Sequence, residues 1–172
     1  MAKLSIIVAP DPRLKRQAEP VARVDREVRR LMDGMLEAMY EANGIGLAAP
    51  QVGALKRVLV ADVSQPEEPA KPMRMANPEV VWHSEDLASG EEGCLSLPDH
   101  FGEVIRPRAV RVRFRDEDDV VQEIEADGLL AKCIQHEIDH LEGVLFVDHL
   151  SALKRGIILR KLSKQKKLLA TG

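Results

Sequence analysis

The chain has 172 residues, of which 45% are hydrophobic and 31% charged, a length and composition that fit one folded domain and exclude a disordered chain. No apolar run approaches the roughly 18 residues of a membrane span, and residues 1–10 lack the apolar core of a signal peptide. Cys94 and Cys133 are too few for a disulfide scaffold, so they are expected to be thiols or metal ligands. The predicted protein is a single cytosolic domain covering residues 1–172.

The net charge of −3 is unevenly distributed along the sequence. Seven Lys or Arg and no acidic residue follow position 150, so a +7 tail (151–172) balances a −10 body. Such a tail can meet an anionic partner. It can equally be a solvated helix face that balances an acidic body.

The first half of the chain predicts one helix and one buried strand. The opening IIVAPDPRLKRQAEPV combines an apolar run with three prolines, which predicts a strand piece followed by irregular chain. Apolar residues then recur at helical spacing from Val24 to Met39, with Asp25 as N-cap and Asn43-Gly44 as the stop. A buried strand is expected over 57–63 and a surface loop over 64–72.

The second half predicts several strands followed by two helices. Strands are expected over 73–83, 109–114 and 120–125, with a turn at 116–119. An amphipathic helix should cover 128–141 and stop at Gly143, and a last helix should run from 151 to about 169. Because strands and helices do not alternate as βαβ units, the expected fold class is α+β.

The strongest local motif is HExxH, formed by His136, Glu137 and His140. Residues four apart on a helix lie one above the other, so both imidazoles can bind one metal ion. Glu137 then stands where a general base reaches a metal-bound water. A surface helix with two solvated histidines is the alternative explanation.

A catalytic metal needs a third protein ligand and one open position. Cys94, in EGCLSLP, is flanked by acidic and small residues rather than by a core, and Pro98 is expected to end strand pairing soon after it. Cys133 competes, since it lies one helical turn before His136, but its thiol would suit a pocket wall equally well. Cys94 is the favoured ligand.

A third motif, GIGLAAPQ, spans residues 44–51. Its glycines and alanines allow a substrate backbone to approach closely, and the Gln51 amide could polarise a carbonyl. Alone, the glycines could simply form the turn after the first helix.

Together, GIGLAAPQ (44–51), EGCLS (92–96) and QHEIDH (135–140) resemble peptide deformylase, which removes the N-formyl group from the initiator methionine of new bacterial or organellar polypeptides. PDPRL near the start and LEGVLF after the third motif extend the resemblance over nearly the whole chain. It implies an α+β fold of antiparallel sheets packed around a central helix carrying HExxH, with an N-terminal and a C-terminal helix. The expected single catalytic domain would act in the bacterial cytoplasm, with an organellar origin as the alternative.

The resemblance also implies residue roles. It implies one divalent ion, physiologically Fe²⁺ with Zn²⁺ or Ni²⁺ able to replace it, and ligand softness alone does not choose among them. The implied ligands are Cys94, His136 and His140. Glu137 would transfer protons, the Gln51 side chain and the Leu95 N–H would hold the formyl oxygen, and the Gly46 backbone would pair with the substrate. The methionine pocket would be formed by Ile45, Leu129 and Cys133.

Two departures from the family pattern concern the pocket. Lys132 stands where an apolar residue is common, and an arginine is often found near Phe101.

The implied partner is an N-formylmethionyl nascent peptide, and Lys154 to Lys167 could meet ribosomal RNA through phosphate contacts. Neither DNA nor a membrane is an expected partner. A metalloprotease and a non-catalytic metal-binding module are the alternative functions.

Overall fold

The computed structural model describes residues 3–171, so residues 1, 2 and 172 of the predicted domain lie outside the described residues. Within that range the fold is mixed α+β, with three α-helices and seven strands. The helices are α1 (Arg26–Glu41), α2 (Gly128–Leu141) and α3 (Ala152–Thr171). The strands are β1 (Gly46–Ala48), β2 (Val58–Ala61), β3 (Met73–His83), β4 (Leu87–Cys94), β5 (Leu97–Pro107), β6 (Ala109–Arg115) and β7 (Val121–Asp127).

Helix α1 begins and packs as the sequence predicts. The Asp25 carboxylate accepts a hydrogen bond from the Val28 N–H at 2.9 Å, which satisfies one of the unpaired donors at a helix start. The apolar face predicted from Val24 to Met39 packs in the core, since Met32, Met35 and Met39 are fully buried. They belong to one apolar cluster with β1 and β2. This packing fixes the chain just before the GIGLAAPQ segment.

The main sheet contains five strands in the order β1-β2-β3-β6-β7, each antiparallel to its neighbours. The predicted strands over 57–63, 73–83, 109–114 and 120–125 are therefore confirmed, with small shifts of their ends. In the β6–β7 turn Asp119 adopts a positive φ of 61°, the conformation that a glycine would usually supply. Helix α2 packs against this sheet through Ile134 and Leu141, both fully buried.

Two local predictions are wrong. The apolar run 6–9, where a strand piece was predicted, forms no strand. It is instead held by hydrogen bonds from Ile7 N to Gln51 O and from Ala9 N to Ser96 O. Pro98 does not end pairing, because β4 and β5 form a separate two-stranded hairpin. The register of the two strands shifts between Gly93 and Cys94. This bulge accommodates Pro98, which has no backbone N–H to donate.

Helix α3 packs onto another apolar cluster, separate from those of α1 and α2. Ile158 and Leu162 of α3 are buried with Leu14, Leu97 and Phe146. The predicted last helix is confirmed, and its inner face belongs to the core rather than to solvent. Among the described residues, no helix combines the length and apolarity needed to cross a bilayer.

Candidate active site

Three ligand groups from two elements meet at one point. Cys94 ends β4, while His136 and His140 lie one turn apart on α2. One ligand atom from each lies within 4.8 Å of the others, and Cys94 Sγ is 3.3 Å from His140 Nε2. A sulfur and two imidazole nitrogens are ligands that Zn²⁺ and Fe²⁺ accept. The residues present therefore fit a divalent metal ion with an open position.

The protonation of His140 agrees with a ligand role. Burial lowers the pKa of His140 well below its ordinary value, and the neighbouring His136 acts in the same direction. Because a neutral imidazole is the form that binds metal, this environment favours the ligating state.

A buried ion-pair network orients the other histidine. Glu92 Oε1 lies 2.9 Å from His136 Nδ1, and both Glu92 oxygens accept hydrogen bonds from Arg106 at 2.7 and 2.9 Å. Burial raises the pKa of Glu92, but the hydrogen bonds from Arg106 and His136 outweigh it and bring the pKa to about 2. The carboxylate is thus ionised, and it directs His136 Nε2 toward Cys94 and His140.

Glu137 differs from Glu92 in the hydrogen bonding of its carboxyl group. Its Oε1 is buried and has no hydrogen-bond partner among the described residues. Burial raises the pKa of Glu137 to about 7, although the charge of His136 acts in the opposite direction. A carboxyl group with this pKa can exchange a proton near neutral pH.

Strand β1 forms the wall opposite Glu137. A Cβ placed on Gly46 would lie 2.6 Å from Glu137 Oε2 and 2.6 Å from Cys133 Sγ, so only glycine lets the strand approach α2 this closely. Cys133 is not in the ligand cluster of the described residues. Its thiol donates to Ile45 O at 3.5 Å. Burial and the charge of Glu137 raise the pKa of Cys133 well above its ordinary value, which keeps the thiol neutral.

Gln51 is 1% exposed and held in one orientation. Its Oε1 accepts a hydrogen bond from Ala48 N at 2.9 Å, so its Nε2 must point the other way. That Nε2 donates to Ser96 Oγ at 3.0 Å and lies 3.5 Å from Cys94 Sγ. The amide donor is therefore placed beside the ligand cluster.

These groups border one cleft of about 540 Å³. Every site residue predicted from the sequence lines this cleft, except His140. Lys132 and Phe101, the two positions that depart from the family pattern, line it as well. His140, which is 1% exposed, is more deeply buried than the partly exposed Cys94. The predicted residues lining the cleft are Ile45, Gly46, Gln51, Cys94, Leu95, Leu129, Cys133, His136 and Glu137.

A supporting network of charged side chains lies behind the ligand cluster, and the sequence did not predict it. Arg106 bridges Glu92 and Asp139, reaching Asp139 Oδ2 at 2.9 Å, and His149 contacts the same oxygen at 2.8 Å. The available signal was an acidic residue two positions before Cys94, which suits a carboxylate behind a metal-binding histidine. Nothing in the sequence pairs it with Arg106, because that pairing depends on the β4–β5 register.

An α+β fold that holds a Cys-His-His cluster beside a buried carboxyl group fits the class of metal-dependent hydrolases. The family model of polypeptide deformylase matches residues 3–156, and the chain belongs to this family.

Known peptide deformylases match this chain over nearly its full length, both in sequence and in structure. A peptide deformylase of Methylocella silvestris is 58% identical, covering 95% of this chain and 85% of the relative. One from Phenylobacterium zucineum is 52% identical over 97% of this chain and 99% of its own. The crystal structure of peptide deformylase from Ehrlichia chaffeensis superposes with a TM-score of 0.92 at 39% identity, covering 97% of this chain and 98% of that one.

Proposed function

We propose that this enzyme hydrolyses the N-formyl group of N-terminal formylmethionine in newly synthesised polypeptides and releases formate. The observation that carries the proposal is the meeting of Cys94, His136 and His140 within 4.8 Å beside the buried carboxyl group of Glu137. The chain would act as a single catalytic domain in the cytoplasm, where formylated chains emerge from the ribosome. Its antiparallel sheets would pack around α2 as the central helix that carries HExxH.

The proposed ligands are Cys94, His136 and His140, holding one divalent ion. The resemblance favours Fe²⁺ as the physiological ion, with Zn²⁺ or Ni²⁺ as substitutes. Such an ion would act as a Lewis acid and would lower the pKa of a coordinated water toward ~7. The ionised Glu92 would keep the His136 ring oriented for binding.

Glu137 is the proposed general base and acid. Because Oε1 has no hydrogen-bond partner in the described part of the chain, the carboxylate is available to take a proton from the water that attacks the formyl carbon. The same oxygen would return the proton to the amine as the carbon–nitrogen bond breaks. Glu137 thus carries one proton of the water to the amine nitrogen. The other proton leaves with formic acid, which ionises to formate, and the second product is a free amino terminus.

The formyl oxygen becomes negatively charged as water adds, and two donors are proposed to stabilise it. One is the Gln51 Nε2 amide, whose direction is fixed by the bond from Ala48 N to Oε1. The other is the Leu95 backbone N–H, next to the ligand Cys94. Donors held in place before the reaction stabilise the transition state more than the ground state.

The remainder of the cleft would bind the peptide. The exposed parts of Ile45 and Leu129, at 40% and 41%, are proposed to form the methionine pocket with the neutral Cys133 thiol. Gly46 on β1 would pair its backbone with the extended substrate. The absence of a side chain at Gly46 keeps that backbone accessible while β1 stays close to α2.

The basic helix is proposed to contact ribosomal RNA. Seven cationic residues and no acidic residue follow position 150, although Arg155 pairs with Asp148 at 3.0 Å. Phosphate contacts from this helix would bring the enzyme to its substrate.

The test is formate release from formyl-Met-Ala-Ser by metal-loaded protein, compared with acetyl-Met-Ala-Ser and with unformylated peptides. The expected result is formate from the formyl peptide only. Cleavage of internal peptide bonds would indicate a metalloprotease. Bound metal without hydrolysis of any of these peptides would indicate a binding module. Metal analysis of anaerobically purified protein would identify the ion.

A further inference from the structure

A second cavity adjoins the cleft of the proposed active site. It has a volume of about 400 Å³ and lies between the β4–β5 hairpin and the start of α2. Its lining includes apolar side chains from both strands, among them Leu87, Val104 and Pro107. These apolar side chains would surround an aliphatic chain, while Arg106 and Arg108 add charged groups to the lining.

Three residues, Glu92, Leu129 and Lys132, line both cavities. Glu92 is 4% exposed and fixed by two hydrogen bonds from Arg106, so it cannot move aside. Leu129, in contrast, is 41% exposed. Lys132 is the one that crosses between the two elements, since its Nζ donates to the Glu91 carbonyl on β4 at 2.7 Å.

The absence of a side chain at Gly90 leaves room for the Lys132 side chain to reach from α2 to β4. A Cβ placed on Gly90 would lie 3.2 Å from Lys132 Nζ and 3.6 Å from its Cδ. A larger side chain there would displace the lysine, so Lys132 and Gly90 form a matched pair across the gap between α2 and β4. A flexible side chain held by one hydrogen bond is a weaker barrier than backbone or packed core.

We propose that the Lys132 side chain is a partition that separates the methionine pocket from the second cavity and so limits the length of the substrate's first side chain. The inference rests on the proposed function and adds a specificity-determining residue to it. Removing the partition would join about 400 Å³ of adjoining space to the pocket. Longer unbranched first residues would then be accommodated.

The experiment compares kcat/KM for formyl-Met-Ala-Ser with that for the same peptide carrying 2-aminodecanoic acid as its first residue. K132A is expected to raise the ratio of long to methionine substrate about tenfold or more. K132M, which keeps the length but loses the hydrogen bond, should give a smaller increase. K71A is the matched control, because Lys71 is exposed and lines neither cavity, and it should leave the ratio unchanged.

An unchanged ratio in both K132A and K132M, in protein that binds metal and unfolds at the wild-type temperature, would overturn the partition. If K132A fails to fold, the ratio in K132M decides the question. Wild-type protein that binds metal but releases no formate from either peptide would instead refute the proposed function. The two failures are thus distinguishable.

Discussion

His136 Nδ1 lies 2.9 Å from Glu92 Oε1, which joins the candidate metal site to a buried ion pair on the β4–β5 hairpin. Arg106 holds that carboxylate through two further hydrogen bonds. The histidine ring is therefore oriented by the hairpin rather than by its own helix. Glu92 and Arg106, which are not among the proposed ligands, should therefore influence the affinity of the site for metal.

Replacing Glu92 with Gln is expected to weaken metal binding about 10- to 100-fold, the usual effect of losing the carboxylate behind a ligating histidine. The measurement is competition for the ion against a chelator of known affinity. E91Q is the matched control, because Glu91 is the neighbouring exposed acid. Equal affinities for E92Q and E91Q would contradict the orienting role.

Replacing Glu137 with Ala should reduce kcat by about 10²–10⁴, because proton transfer is lost, while bound metal stays at the wild-type level. C94S and H136A should instead lose the ion, since each removes a ligand. Formate release and metal content measured on the same samples separate the two classes. Wild-type turnover in E137A would refute the assignment of Glu137 as general base.

The close contact between β1 and α2 predicts that adding a single methyl group at Gly46 lowers the stability of the protein. In G46A the new Cβ would lie 2.6 Å from both Cys133 Sγ and Glu137 Oε2, so the protein should lose about 1–3 kcal/mol of unfolding free energy through overpacking. Urea unfolding measures this loss. The matched control is G156A on α3, where the nearest atoms belong to the end of the flexible Arg160 side chain and alanine should stabilise the helix.

Tyr40 should make the folding stability of the protein decrease at alkaline pH. Burial and the hydrogen bond to Asp62 raise the pKa of Tyr40 from the ordinary value of about 10 to about 12. The folded state therefore retains a proton that the unfolded chain loses. The stabilisation is complete below pH 10, and it is lost as the pH rises through about 12.

The comparison of wild type with Y40F measures this effect. At pH 8, Y40F should be about 0.5–1.5 kcal/mol less stable, the ordinary net value of one hydrogen bond, and partial exposure of the ring favours the lower end. The difference should shrink steadily between pH 10 and 12 in urea unfolding. A difference that is constant over this interval would contradict the prediction.

Ribosome binding by the basic helix should be tested with charge changes rather than by truncation. Deleting residues 151–172 would remove Ile158 and Leu162, which are buried in the core, and would confuse unfolding with lost contacts. The neutral variant K161Q/K164Q/K166Q, at three exposed positions, should weaken cosedimentation with ribosomes and reduce its salt dependence by about one power of salt concentration per lysine that contacts phosphate. K71Q is the control, and equal binding of both variants would refute RNA contact by this helix.

Local signals predicted those parts of the fold that depend on neighbours in sequence. The stripe from Val24 to Met39, the cap at Asp25 and the helix over 128–141 are set by helical spacing and by terminal residues, and all three are confirmed. The β4–β5 hairpin was missed because its pairing combines a bulge, a proline and exposed residues such as Phe101 and Ile105, which are 60% and 64% exposed. Such strands lack the alternating apolar pattern that marks a half-buried sheet.

By itself, the sequence determined the chemical groups: a thiol, two imidazoles one helical turn apart and a carboxyl group between them. Helical geometry brings His136 and His140 together without help from the rest of the chain. The sequence favoured Cys94 over Cys133 without deciding between them. The tertiary structure decided it, because the end of β4 places Cys94 beside the rings, whereas Cys133 faces β1. It also decided that Glu92 is ionised while the pKa of Glu137 is raised. Both carboxyls are buried, and only Glu92 has Arg106 to compensate for the loss of water.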